Sequence, residues 1–89
     1  MDETPQDPVR RRLLFRATHR GTKENDLLVG GFVRANLAGF SEVEMAALEE
    51  IMELPDPVLA DWLTGRAPLP ADATPMLRRL RTAAANRHA

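Results

Sequence analysis

Residues 40–65 read FSEVEMAALEEIMELPDPVLADWLTG, and they contain the clearest helix boundaries of this 89-residue chain. Ser41 and Glu44 have the spacing of a capping box, in which each side chain accepts a hydrogen bond from the backbone N–H of the other residue. Phe40 and Met45 occupy the two positions of a hydrophobic staple, which fixes how the chain enters the helix. We therefore predict a helix that starts after Ser41 and ends before Pro55. Its predicted core-facing side chains are Met45, Leu48, Ile51 and Met52.

The second half of the same stretch predicts another short helix. Asp56 is expected to be its N-cap, Pro57 its first residue, and Gly65 the residue beyond its end. Proline is tolerated at the first helical position because an N–H there would have no intrahelical acceptor. The predicted buried stripe consists of Val58, Leu59, Trp62 and Leu63. We thus expect the single tryptophan of the chain to point inward.

Two more helices are predicted on the N-terminal side of this stretch. The first has Asp7 as its N-cap and Pro8 at its first position, and we expect it to end near Gly21 because glycine readily adopts the left-handed conformation that follows helices. The second is expected over residues 22–37. The apolar residues at helical spacing are Val9, Leu13, Leu14 and Ala17 in the first helix, and Leu27, Leu28, Phe32 and Ala35 in the second.

The adjacent glycines Gly30 and Gly31 lie inside the second predicted helix. Each glycine costs about 1 kcal/mol relative to alanine in a helix interior, so the pair needs a compensating contact. The pair indicates either a kink or a close helix crossing that compensates for this cost. We favour the crossing.

A last helix is predicted to start at Thr74-Pro75, to bury Met76, Leu77 and Leu80, and to fray after Ala85. Together the five helices, joined by short loops, predict an all-α fold, a compact single-domain bundle of five short helices. The domain is expected to cover residues 7–85. Residues 1–6 and 86–89 are expected to form flexible tails.

Composition excludes several classes of protein. The chain contains no cysteine, so it can form neither a disulfide nor a thiolate nucleophile. Its apolar runs are far shorter than the roughly 20 residues that cross a bilayer, so we expect no insertion into a membrane. The acidic N-terminus lacks the apolar segment of a secretory signal, so we expect a cytoplasmic location.

The charged residues are grouped along the chain although the net charge is only −1. Residues 10–20 contain five arginines and no acid, residues 42–56 contain six acids and no base, and arginines return near the C-terminus. Such groups usually lie on solvated helix faces, which is the simpler interpretation. The alternative is a surface with opposite poles that orients a partner protein.

No residue set in the chain resembles a catalytic or metal centre. The two histidines are His19 and His88, and neither has a serine or cysteine nucleophile in a suitable context. The acidic residues of the third helix lack ligands from a second element, so we expect no metal site. The glycines match neither a phosphate-binding loop nor a dinucleotide fingerprint. An independent enzyme is therefore the least favoured function.

The arginine clusters at residues 10–12 and 78–79 are a feature that nucleic-acid-binding domains share. A nucleic-acid-binding domain usually has a basic overall balance and aromatic residues that stack on bases. This chain has a pI near 6.1, and Phe15 is the only aromatic residue close to either cluster. We therefore expect no nucleic-acid partner.

The junction between the first two helices, residues 19–26, reads HRGTKEND and is dense in charge. One interpretation is purely structural, because Gly21 can end a helix, Thr22 can cap the next, and acidic residues favour a first helical turn. An exposed ion pair between Arg20 and Glu24 would add at most about 1 kcal/mol. The other interpretation is a protein-binding turn, and the residues alone leave the two open.

The sequence resembles the succinate dehydrogenase assembly factors, also called the SdhE or flavinylation factor family. The hallmark Arg-Gly-x-x-Glu is matched by Arg20, Gly21 and Glu24 within the similar stretch 13–28. The resemblance continues through the acidic helix at 42–53 and the segment 54–63, which is similar to the family pattern Asp-x-x-Leu-x-x-Trp. One departure is Asn25, because many members carry an apolar residue after the glutamate.

The resemblance implies a five-helix domain that binds the flavoprotein subunit of succinate dehydrogenase, and in some bacteria of fumarate reductase, in the bacterial cytoplasm. It implies that this chain promotes covalent attachment of FAD to a histidine of that subunit. The chain itself would hold no cofactor stably and would be a monomer when free. The partner-binding residues that follow from the resemblance and the charge of the turn are Arg16, His19, Arg20, Gly21, Thr22, Lys23, Glu24 and Asp26. The competing hypothesis is a generic or antitoxin-like adaptor with an unrelated partner.

Overall fold

The computed structural model describes residues 7–88, without the side chains of residues 87 and 88. Within that range the chain forms five α-helices, one short 3-10 helix and no strand, so the predicted all-α class is confirmed. In chain order these are α1 Pro8–Thr18, α2 Lys23–Asn36, the 3-10 helix Leu37–Gly39, α3 Glu42–Met52, α4 Asp56–Thr64 and α5 Pro75–His88. The expected flexible tail at residues 1–6 lies outside the described residues, as does residue 89.

Helix α1 begins as predicted, because the Asp7 side chain accepts a hydrogen bond from the Val9 N–H and Pro8 occupies the first helical position. It ends at Thr18, earlier than the expected end near Gly21. His19 already has non-helical backbone angles, and Gly21 lies in the following turn with φ of +105°. The predicted inner face is partly wrong, since Val9 is exposed while Leu13 and Ala17 are fully buried.

Helix α2 presents a different face to the core from the one predicted. Thr22 caps it as expected, but Leu27 is 47% exposed and Ala35 is also exposed. The buried residues are Asn25, Leu28, Val29, Gly30 and Val33. The run of apolar residues from 27 to 29 spans most of a helical turn, so the sequence could not show which of them faces inward.

The position of Gly30 explains the orientation of α2. A Cβ atom at Gly30 would lie 2.8 Å from Thr18 Cγ2 and 3.2 Å from the Ala17 carbonyl oxygen. Only a residue without a side chain lets α1 and α2 approach this closely. The predicted close crossing is therefore confirmed at Gly30, and it turns Val29 and Val33 into the core.

Helix α3 has the predicted capping box, with both reciprocal hydrogen bonds between Ser41 and Glu44. Its four predicted core residues are all buried, and Phe40 and Met45 are buried as the staple requires. Helix α4 begins one residue earlier than predicted, with Pro55 as N-cap and Asp56 at the first helical position. The reason is that the Asp56 carboxylate does not cap its own helix but accepts hydrogen bonds from residues 20 and 25.

The remainder of α4 and α5 agrees with most of the prediction. Gly65 ends α4 in the left-handed conformation, and Leu59 and Leu63 are fully buried. Val58 is exposed, and Trp62 is half-buried against the core rather than enclosed in it. Helix α5 starts at Pro75 and extends to His88, three residues beyond the predicted end at Ala85.

The helices surround one apolar core. Helix α1 packs against α2 and α3, while α5 packs against α2, α3 and α4. The Cα radius of gyration is 12.5 Å, close to the ~12 Å expected for a compact chain of this length. This packing brings the α1–α2 turn against the loop between α3 and α4. The buried core consists of Leu13, Ala17, Leu28, Val29, Val33, Leu37, Phe40, Met45, Leu48, Ile51, Met52, Leu59, Leu63, Met76, Leu77, Leu80 and Ala84.

Candidate functional site

The turn between α1 and α2 is held by its own side chains. The Arg20 N–H donates to Asp26 Oδ1 at 2.6 Å, and the Asn25 N–H donates to Thr22 Oγ1 at 3.2 Å. Asp26 therefore ties the entry of the turn to the first turn of α2. Between these bonds, Gly21 is exposed and has a positive φ, which glycine adopts readily.

The Arg20 side chain points into the molecule. Its Nε donates to Asp56 Oδ1 at 2.8 Å, and its two terminal nitrogens donate to the carbonyl oxygens of Met52 and Leu54 at 3.0 and 2.7 Å. Only 7% of the side chain is exposed. The carbonyl oxygens at the end of a helix lack intrahelical donors. Arg20 therefore supplies a donor to the last carbonyl of α3 and also pairs with Asp56, the first residue of α4. We call Arg20, Asn25, Asp26 and Asp56 the turn anchor.

Asn25 completes the turn anchor from α2. Its side-chain nitrogen donates to the Asp56 carbonyl oxygen at 3.1 Å and to Asp56 Oδ1 at 3.0 Å. The residue is fully buried, and its Oδ1 has no hydrogen-bond partner among the described residues. The unusual polar residue after the motif glutamate is thus placed to bind Asp56.

The carboxyl group of Asp56 is kept ionised by these contacts. Burial alone raises the pKa of Asp56, but hydrogen bonds from Asn25 and Arg20 and the charge of Arg20 outweigh burial. The pKa of Asp56 therefore lies below its ordinary value. Because the charged form is the one that binds Arg20, the turn anchor is fully formed near neutral pH.

The suggested ion pair between Arg20 and Glu24 is wrong. Glu24 instead lies 3.5 Å from Arg66, which also binds Asp61 at 2.9 Å. These three side chains are largely exposed, so the contact leaves Glu24 accessible to solvent. Arg66 follows Gly65, and the contact links the turn to the end of α4.

The other two predicted residues before the turn differ in their exposure. Arg16 binds Glu49 of α3 and Glu53, the residue after α3, the latter at 2.7 Å, and these contacts occupy both of its terminal nitrogens. His19 is exposed, and its ring stacks on Phe15 with 4.1 Å between ring centroids. The basic block of α1 therefore lies against the acidic block of α3, and the two partly neutralise each other.

The eight predicted residues thus form two groups. Arg16, Arg20 and Asp26 are partly buried, whereas the exposed members are His19, Gly21, Thr22, Lys23 and Glu24. A Cβ atom at Gly21 would meet no atom within 4 Å, so the space outside the turn is open.

Two apolar residues beside the turn were missed by the sequence analysis. Phe15 is 62% exposed, and Leu27 is 47% exposed. Phe15 is two residues from both Leu13 and Ala17, the buried positions of α1, so its helical phase could have shown that it faces outward. Leu27 could not be found in this way because it begins an apolar run whose other two residues, Leu28 and Val29, are buried. Exposed apolar side chains next to exposed charges are typical of a protein-binding surface.

Residues 7–88 contain no group of three histidine, aspartate or glutamate residues that could hold a metal ion. No helix in the described part of the chain combines the length and the apolar character needed to span a bilayer.

Comparison with known proteins identifies relatives of this chain. A family model described as "Flavinator of succinate dehydrogenase" matches residues 11–84. The chain is 60% identical over 72 residues to the FAD assembly factor SdhE of Acetobacter pasteurianus, covering 80% of this chain and 66% of that protein. It is 30% identical over 66 residues to the mitochondrial succinate dehydrogenase assembly factor 2 of Dictyostelium discoideum, covering 74% of this chain and 47% of that protein.

A third relative is the mitochondrial succinate dehydrogenase assembly factor 2 of Cryptococcus neoformans, 31% identical over 90 residues and covering 97% of this chain and 51% of that protein. The chain therefore spans between about half and two thirds of the length of these relatives. No solved structure matches it. Since the family model covers well over half of the sequence, this chain belongs to the family of flavinators of succinate dehydrogenase.

Proposed function

We propose that this chain binds the flavoprotein subunit of succinate dehydrogenase and promotes covalent attachment of FAD to that subunit. Family membership supports the partner, and the names of the relatives refer to assembly of succinate dehydrogenase or of FAD. The observation that carries the proposal is the geometry of the α1–α2 turn. The hydrogen bonds of the turn anchor hold the backbone that carries the exposed residues, so the turn has its binding conformation before any partner binds.

The residues of the turn have separate roles in this proposal. Gly21 allows the partner's backbone to approach closely because no side chain covers the turn. Lys23 and Glu24 offer exposed charges of opposite sign, and Phe15 with His19 offers an aromatic surface. Arg20 acts from inside by holding the turn rather than by touching the partner. This role differs from the direct contact that the resemblance alone suggested.

The chain acts as a binding protein and not as an enzyme in this proposal. The flavoprotein subunit holds FAD and supplies the histidine that becomes linked to it, while this chain binds no flavin stably. Its contribution is to fix the relative position of groups within the partner, because correct orientation can supply several kcal/mol of a reaction barrier. No side chain of this chain needs to take part in proton or group transfer.

Three further features belong to the same proposal. The related flavoprotein subunit of fumarate reductase is a second partner in bacteria that contain it. The free chain is a monomer and works in the bacterial cytoplasm. The relative from Acetobacter pasteurianus supports the bacterial setting.

The central test compares glycine variants in a bacterial strain that lacks its own copy of this gene. Gly21→Arg places a bulky side chain on the docking turn, and we expect covalent flavin in the flavoprotein subunit to fall at least tenfold, read by in-gel flavin fluorescence. The control is Gly39→Arg, because a Cβ atom at Gly39 also meets nothing within 4 Å and its φ is not positive. Gly39→Arg should retain wild-type flavinylation.

A second variant removes the ambiguity that Gly21→Arg also strains the backbone, which has a φ of +105°. The double change Lys23→Ala with Glu24→Ala leaves the backbone unstrained, and it should weaken binding to the purified flavoprotein subunit in calorimetry. Two results would contradict the proposal. The first is a wild-type level of covalent flavin in the strain without this gene. The second is unchanged binding by the double variant together with normal flavinylation by Gly21→Arg.

A further inference from the structure

A second accessible feature lies between α3, α4 and the loop before α5. It is a cavity of about 190 Å³, open to solvent and distinct from the α1–α2 turn. Buried Ile51 and Leu77 lie at its base, and half-buried Ala47, Leu54 and Trp62 line its sides. Its size exceeds the ~150 Å³ of an apolar cavity that accepts benzene, so it can hold one leucine, methionine or phenylalanine side chain.

The charged residues of the cavity are both acidic. Glu50 of α3 and Asp72 of the loop before α5 belong to its lining, and both are exposed. Neither carboxylate takes part in an ion pair between described residues. Arg78 donates to the carbonyl oxygens of Ala71 and Ala73 rather than to a carboxylate. The two exposed carboxylates of Glu50 and Asp72 therefore give the opening a negative charge.

The cavity is physically connected to the turn anchor. Leu54 lines the cavity with its side chain, and its carbonyl oxygen accepts the 2.7 Å hydrogen bond from Arg20. The loop between α3 and α4 thus contributes to both features.

From these observations we propose that the cavity receives an apolar side chain, flanked by a lysine or arginine, from the polypeptide that binds the turn. This inference rests on the proposed function for the identity of that polypeptide, the flavoprotein subunit. The apolar side chain fills the space over Ile51 and Leu77, and the neighbouring cation pairs with Glu50. A buried anchor with a charged neighbour at the rim is the usual composition of a binding hot spot.

The direct test uses the single tryptophan of this chain as a reporter. The chain is labelled with 5-fluorotryptophan, so that Trp62 gives one ¹⁹F resonance, and purified flavoprotein subunit is added. The proposal predicts that this resonance shifts or broadens on binding. The resonance of the Ala47→Phe variant, in which the new ring occupies the cavity, should change much less. Circular dichroism of the variant establishes that it is folded.

Affinity measurements separate the two parts of the inference. Ala47→Phe should weaken binding about tenfold or more, and Glu50→Lys should weaken it severalfold at low salt and less at high salt. The matched control is Val43→Phe, on the same helix at a highly exposed position outside the cavity lining, and it should leave affinity unchanged.

The outcomes distinguish this inference from the proposed function. In one outcome the complex forms and turn variants weaken it, but the Trp62 resonance stays unchanged and Ala47→Phe binds normally. This outcome overturns the cavity proposal alone. Absence of any complex with the flavoprotein subunit overturns both. A Trp62 shift that depends on the concentration of this chain without any partner shows occupation by a second copy, and this result also overturns the cavity proposal.

Discussion

Arg16 and Arg20 are four residues apart and both reach the C-terminal part of α3, yet they interact with it in different ways. Arg16 binds the carboxylates of Glu49 and Glu53 on the surface, and 36% of its side chain is exposed. Arg20 binds two backbone carbonyls and Asp56, and 7% of its side chain is exposed. The first contact joins two helix faces, whereas the second fixes the α1–α2 turn to the end of α3, the following loop and the start of α4.

The difference shows that charge alone does not identify the structural arginine. An exposed ion pair gains little because water competes for both partners. A buried arginine is costly to replace, because the carbonyl oxygens and carboxylate that it serves are left without a donor. We therefore expect substitutions in the turn anchor to have larger effects than substitutions in the surface pairs.

The largest expected effect is that of Arg20→Met. This change keeps much of the apolar stem but leaves Asp56 without its cation and two carbonyls without their donor, so the free energy of unfolding should fall by about 3 kcal/mol. Urea denaturation followed by circular dichroism measures the loss. A smaller loss in the free energy of unfolding than that caused by Arg16→Ala would show that the turn anchor does not stabilise the fold.

Asp56→Asn should have the next largest effect and should depend on pH. The variant keeps a similar shape but loses the charge, and we expect a loss of about 1.5 kcal/mol at neutral pH. Since contacts hold the pKa of Asp56 below the ordinary value near 3.9, the wild-type advantage is present above that value and disappears as pH falls through the lowered pKa. Denaturation curves of both proteins from neutral to strongly acidic pH measure the difference.

A constant difference across the whole pH range would contradict this assignment. Asp7 and Glu44 also have lowered pKa values, the first chiefly through a backbone hydrogen bond from Val9 and the second chiefly through one from Ser41. Both the wild-type protein and the variant will thus lose stability in acid. Only the difference between them reports on Asp56.

Asn25→Ala is expected to cost about 1 kcal/mol, because it removes the hydrogen bonds to Asp56 but leaves Arg20 in place. Asn25→Leu is the informative comparison. It restores an apolar residue and removes a buried oxygen that has no partner among the described residues, so it should be closer to wild type than the alanine variant. Thermal and urea denaturation of Asn25→Ala and Asn25→Leu measure the difference. A larger loss of stability for Asn25→Leu would contradict this account.

The smallest effect is expected for Arg16→Ala. Its contacts with Glu49 and Glu53 are partly exposed, so the loss should not exceed about 1 kcal/mol and should shrink in about 1 M salt. Urea denaturation at low and high salt measures both quantities. A loss that is as large as that of Arg20→Met and insensitive to salt would remove the distinction between the two arginines.

The sequence allowed prediction of most helix starts and of the location of the candidate site. Ser41 with Glu44, Asp7 with Pro8, and Gly65 act through neighbours within a few residues, so their effects could be read locally. The errors concern features that depend on distant partners. Asp56 resembles an N-cap in the sequence, but residues 20 and 25 occupy its carboxylate in the fold.

The exposure of individual site residues could not be predicted for the same reason. Arg20 and Glu24 have compatible charges and spacing for an ion pair, but Arg20 has better ligands at the end of α3 and Glu24 lies near Arg66. The apolar cavity was not foreseen, because its lining comes from three helices and two loops that are separate in sequence. Leu27 was predicted to face the core because the sequence alone does not show how α2 is rotated about its axis relative to α1.

By itself, the sequence determined that this chain is helical, where most of its helices begin, and that a turn with the signature Arg-Gly-x-x-Glu joins the first two. Those properties follow from hydrogen bonds and backbone preferences that act over one or two turns of chain. Only the tertiary structure decided that Arg20 faces inward while Gly21, Lys23 and Glu24 face outward. The physical reason is that the Arg20 guanidinium binds two carbonyl oxygens and a carboxylate that lie more than thirty residues later in the chain, at the end of α3, in the following loop and at the start of α4.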